Sequence, residues 1–185
     1  MERFNEWLFP TLGNWWLSLL LVLPIWIVTE QFWVALTFNI MAAVNYPYPF
    51  FVSPLFFVVD YVTLIIHEAG HTLFGLFGNR LLTILGGSIL EILLPFLIFL
   101  SGWMRKQRSV AQFSLFWLGF CWYDTAAYCV DAPFRLLPLI GDLPKSAHDF
   151  YNILTELNLM SESRTIAMIM FSIGFIAMIA SLLYP

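Results

Sequence analysis

Residues 60–78 read Asp60-Tyr61-Val62-Thr63-Leu64-Ile65-Ile66-His67-Glu68-Ala69-Gly70-His71-Thr72-Leu73-Phe74-Gly75-Leu76-Phe77-Gly78. Three ionisable side chains, His67, Glu68 and His71, stand inside a run of Val, Leu, Ile and Phe. Counted from Pro54, the run reaches the roughly 20 mainly apolar residues that a helix needs to cross hydrocarbon. Ser53 is the expected N-cap with Pro54 at the first helical position, and Gly75 and Gly78 mark the end. Ionisable groups within such a helix are costly and as a rule functional. The stretch therefore points to a membrane protein and to the place where its chemistry is to be sought.

The rest of the chain agrees. Of its 185 residues 61% are hydrophobic and only 11% charged, whereas soluble domains are about half apolar and about a quarter charged. Eight Trp and seven Tyr supply rings suited to the membrane–water interface. Five stretches are long and apolar enough to span: 15–38 with Glu30 inside it, 54–77, 82–103, 110–130 and 166–183. The expected fold is all-α, a polytopic membrane protein of about five transmembrane helices in a single domain, residues 1–185, with membrane lipids as its surroundings. Residues 1–10 lack the basic n-region and small-residue cleavage site of a signal peptide, so the first stretch is expected to be retained. The net charge of −4 is scattered and forms no basic stripe, which excludes the usual footprint of a nucleic-acid partner. The two cysteines, Cys121 and Cys129, are too few for a disulfide framework.

The connections differ in character. Residues 45–51 form a proline and aromatic loop, and 78–81 a tight turn that makes an antiparallel hairpin of the second and third stretches. Residues 131–165 are the longest polar segment. Within it Phe150, Ile153, Leu154 and Leu157 recur at helical spacing and predict a short amphipathic helix. Ser146 and Asp149 have the spacing of a capping box before it. Counting spans places 131–165 on the side of the membrane where the second stretch ends, within reach of His67 and His71.

His67 and His71 are four residues apart and so share one helical face. That spacing lets both imidazoles grip one zinc ion, with Glu68 placed as the general base that takes a proton from the attacking water. Zinc brings the pKa of water toward neutrality and polarises a carbonyl, so these residue types at this spacing fit metal-assisted peptide hydrolysis. The alternatives with the same residues are a metal-binding sensor or carrier without proteolysis, and a structural bundle in which His and Glu make polar contacts between helices.

The motif His67-Glu68-Ala69-Gly70-His71 within an apolar helix resembles the site-2-protease-like intramembrane metalloproteases, peptidase family M50 in the broad sense. The resemblance covers roughly residues 60–78. It implies a Zn2+ site within the membrane and cleavage of membrane-embedded or membrane-proximal peptide substrates. The Asn/Pro-rich motif ending in Asp-Gly, whose aspartate supplies the third ligand in the best-known members, does not occur in this sequence. His148-Asp149-Phe150 is similar to a His-Asp-aromatic pair in some bacterial M50-like proteins.

A hydrolytic zinc takes three protein ligands and keeps one position open. His148, Asp124, Asp131, Asp149 and Glu91 are the candidates for the third. His148 is favoured as the only remaining histidine, on the correct side of the membrane. Asp124, about 9 Å deep along its helix, is the alternative, since His67 lies about 15 Å from the end of its own. Asp131 or Asp149 is then expected to orient a ligand imidazole from behind.

Overall fold

The computed structural model describes residues 15–45 and 49–184. The readings of residues 1–10 and of the middle of the 45–51 loop lie outside them. Among the described residues there are seven α-helices and no strand. They are α1 (Trp16–Thr37), α2 (Ile40–Val44), α3 (Ser53–Gly75), α4 (Arg80–Met104), α5 (Arg108–Asp131), α6 (Asp149–Glu156) and α7 (Ser163–Leu182). Four helices are long and apolar enough to cross a membrane: α1, α3, α4, and α7 with the short turn before it.

The remaining expected span, α5, is just as long at 24 residues but is not among the four. It is the central helix. Residues on every side of it are buried, among them Gln112, Ser114, Thr125 and Asp131. It packs along α7 on one side and α4 on another, with α1 across it. A helix enclosed by protein need not be greasy all round, because its polar groups find partners in the bundle. Gln112 does so, donating to Ser18 Oγ (2.7 Å) and to the carbonyl of Ser181 (2.9 Å). The outward faces of α1 and α3 carry Leu19, Trp26, Phe57, Val58 and Ile65, all exposed.

Local details depart from expectation at two helix starts. Val52 rather than Ser53 caps α3, with Ser53 already helical and no side-chain bond at the cap. His148 rather than Ser146 caps α6, accepting the Tyr151 N–H at Nδ1, because residues 145–147 form a separate 3-10 turn. The amphipathic reading of α6 holds for Phe150, Ile153 and Leu154, which are buried, while Leu157 is exposed.

The hairpin of α3 and α4 sets up the site. The two helices cross at glycines. A Cβ on Gly70 would run into the backbone of Gly86 and Gly87, and one on Gly86 would lie 2.6 Å from Phe74 Cβ. Only residues without side chains let the backbones approach so closely. On its other side α3 leans only lightly on α5, through Trp117 Nε1–H donating to Thr63 Oγ1 (3.0 Å) and Phe56 against Phe120. That looseness leaves a cavity of about 550 Å³ between α3, α5, α2 and the 137–147 loop.

Candidate metal centre

Two consecutive turns of α3 present His67 and His71, and α4 fixes both rings from behind. His71 Nδ1 lies 2.9 Å from the carbonyl oxygen of Thr83. A carbonyl can only accept, so Nδ1 carries the hydrogen. His67 Nδ1 lies 2.9 Å from Oε2 of Glu91, a buried carboxylate that accepts in the same way. Thr125 Oγ1 approaches the other Glu91 oxygen at 3.4 Å. With both Nδ1 atoms committed, both Nε2 atoms turn to the remaining side.

There they meet one oxygen. Asp149 Oδ2 is 3.2 Å from His67 Nε2 and 3.3 Å from His71 Nε2. These three residues form the one His/Cys/Asp/Glu group with metal-ligand spacing among the described residues. The arrangement fits zinc on three counts. The donor set is two imidazole nitrogens and a carboxylate oxygen, a set that zinc accepts. Bonds of about 2.0 Å at tetrahedral angles put neighbouring donors about 3.3 Å apart, close to the observed separations. And α4 leaves the spot open only because Gly87 faces it, since a Cβ there would stand 2.6 Å from His67 Nε2 and 2.7 Å from His71 Nε2.

Asp149 arrives from outside the long helices. It is the first residue of α6, and its N–H donates to the Tyr128 hydroxyl (3.2 Å). The other end of α6 is tied to the start of α4 by an ion pair between Arg80 and Glu156. Burial alone would raise the Asp149 carboxyl; hydrogen bonds from His67 and His71 outweigh it and hold the group below its ordinary value.

The structure places the other sequence candidates elsewhere. His148, favoured as the third donor, is wholly buried and turned away from the pair. Its Nδ1 caps α6, its Nε2 lies 3.4 Å from Asp131 Oδ2, and its ring packs, tilted, against Tyr128 at 4.0 Å. Capping geometry is the reason: a residue at the N-cap turns back over its own helix, so the next residue, Asp149, points out toward the histidines. Asp131 is spent within its own loop, accepting the N–H groups of Leu136 and Leu137 at 2.9 Å each. Asp124, the alternative ligand, lines the cavity but is outside the group. Glu91 lies against His67 Nδ1, outside the group. Glu68 lines the same cavity as His67, His71 and Asp149. The role of the Thr83 carbonyl left no trace in the sequence, because any residue type supplies one.

No family model, curated protein or solved structure matches this chain.

Proposed function

We propose that this chain is a multi-pass membrane zinc peptidase that hydrolyses membrane-embedded or membrane-proximal peptide bonds, in the manner of the site-2-protease-like enzymes it resembles. The observation that carries the reading is the meeting of His67 Nε2, His71 Nε2 and Asp149 Oδ2 at one point, on a cavity that Glu68 also lines. Asp149 takes the ligand position, and His148 keeps the segment that delivers it in shape.

A zinc ion, when bound, brings the pKa of water toward neutrality and polarises a peptide carbonyl. The chain's own residues do the rest. Glu91 and Thr83 lock the two imidazoles so that no reorganisation is needed during reaction. Glu68 accepts the proton of the attacking water and passes it to the leaving nitrogen. Phe56, Phe57, Leu64 and Phe120 give the cavity walls that suit an apolar segment, while Leu139 and Ile140 cover it on the loop side and limit water.

The test has two parts. Elemental analysis of purified protein is expected to find one zinc per chain, lost in His67→Ala and in Asp149→Ala. In vesicles holding a set of single-span model peptides, wild type is expected to release fragments seen by mass spectrometry, and Glu68→Gln to keep its zinc and release none. Zinc-free wild type, or fragments from Glu68→Gln, sinks the proposal. A carrier or sensor would instead keep its zinc-dependent behaviour in Glu68→Ala.

A further inference from the structure

Hydrolysis of an amide puts negative charge on the carbonyl oxygen, and a fixed donor aimed at that oxygen lowers the barrier strongly. No Lys or Arg lines the cavity; apart from the two histidines its ionisable carboxyl walls are Asp60, Glu68, Asp124 and Asp149. An ionised carboxylate cannot donate and repels a developing oxyanion. The neutral side-chain donors on the cavity wall are Gln31, Tyr123 and Tyr128. Tyr123 O–H donates to Gln31 Oε1 (3.3 Å), and it precedes Tyr128 by five residues, about 7.5 Å along the helix.

Tyr128 stands at the metal centre itself. Its ring meets the His67 ring edge-on at 6.3 Å and packs, tilted, against His148 at 4.0 Å, which holds it in place. Its hydroxyl oxygen accepts the Asp149 N–H at 3.2 Å, so one lone pair is tied to the ligand residue's own backbone. The hydroxyl hydrogen reaches no acceptor among the described residues. A hydroxyl whose oxygen is anchored and whose hydrogen is uncommitted, on a residue that lines the cavity, is available as a donor there.

We infer that Tyr128 is a catalytic residue of this site, the hydrogen-bond donor to the carbonyl oxygen as it becomes an oxyanion; the inference rests on the hydrolase reading above. Attack forms a bond between the water oxygen and the carbonyl carbon. The water proton goes to Glu68, and the C=O π pair moves onto the carbonyl oxygen, where the Tyr128 O–H donates without giving up its proton. Collapse restores the C=O, breaks the C–N bond, and returns the proton from Glu68 to the leaving nitrogen.

Tyr128→Phe keeps the ring, its packing and the fold. The variant also gives up the acceptor of the Asp149 N–H, so it is assayed at saturating zinc, where its expected effect is a loss of kcat of about 10²- to 10³-fold with KM unchanged. The peptide cleaved by wild type, remade with a phosphinate at the scissile bond, carries a ready-made oxyanion. It is expected to bind Tyr128→Phe more weakly by the same factor as the loss in kcat/KM. Undiminished kcat in Tyr128→Phe overturns the inference and leaves the hydrolase reading standing. Zinc affinity falling in step with kcat overturns it as well, and makes Tyr128 a positioning residue for Asp149. Zinc-loaded wild type that cleaves nothing refutes the hydrolase reading and this inference together.

Discussion

Gly87 is the residue at which geometry and chemistry bind most tightly. Replacing it by alanine puts a methyl group within 2.7 Å of both Nε2 atoms, in the space the proposed ion would take. Gly87→Ala is expected to abolish zinc binding while the helical circular dichroism stays as in wild type; retained stoichiometric zinc would move the ion elsewhere. Glu91 acts one step further out, by holding the hydrogen of His67 on Nδ1. Glu91→Gln is expected to weaken zinc affinity about 10- to 100-fold, the usual loss when an outer partner of a ligand histidine is removed. Zinc competition with a chromophoric chelator measures this. The sign of the pH effect follows from the same groups. Asp149 is held below its ordinary value and so stays ionised as pH falls; the imidazoles must shed protons from Nε2 to bind. Zinc affinity therefore drops as pH is lowered, through His67 and His71. An affinity flat with pH would argue against imidazole ligands.

At the scale of the element, α6 is a short helix whose two ends do different work. Its first residue, Asp149, turns its carboxylate to the two histidines, and the residue before it, His148, caps the helix and lies wholly buried beside Asp131. The two roles separate by mutation. Asp149→Ala removes a donor and is expected to lose zinc outright. His148→Ala removes the acceptor of the Tyr151 N–H and with it the cap of α6, which costs stability of about 0.5–2 kcal/mol. It should lower the melting temperature while a zinc ligand set remains. His148→Asn restores an N-cap acceptor and is expected to recover part of that loss. Were His148→Ala to lose zinc as completely as Asp149→Ala, with its fold intact, the division of roles would be wrong.

For the whole molecule, the centre joins two parts that are far apart in sequence: the α3–α4 hairpin and the segment after α5. The hairpin is stapled by its glycine crossing, and α5 is stapled to α7, while α6 packs on α4 and meets the hairpin's polar groups through Asp149 and through Arg80, which reaches both Glu156 and Asn152. The Arg80–Glu156 ion pair is on the surface and contributes little by itself, in the range of about 0–1 kcal/mol. Phe150 and Leu154 already seat α6 in the core, and a bound ion would add a further tie to the hairpin. Thermal stability is expected to rise with free zinc as mass action requires, and chelation to speed hydrogen exchange in residues 131–159 more than in α5 or α7. Equal protection with and without chelator would show that α6 docks independently of metal.

The sequence by itself determined the long helices, because runs of apolar residues of spanning length leave the backbone no alternative in hydrocarbon. It also determined that His67 and His71 share a face with Glu68 beside them, since a spacing of four is local helical geometry. Two things were decided only by tertiary structure. One is that α5 is the enclosed centre of the bundle rather than another lipid-facing span, which depends on what surrounds it. The other is that Asp149, and not its neighbour His148, meets His67 and His71. Consecutive residues at a helix start point in different directions, and which of them faces a partner 78 or more positions back along the chain is fixed by how the loop is held at Asp131 and Tyr128, a long-range arrangement that no local pattern encodes.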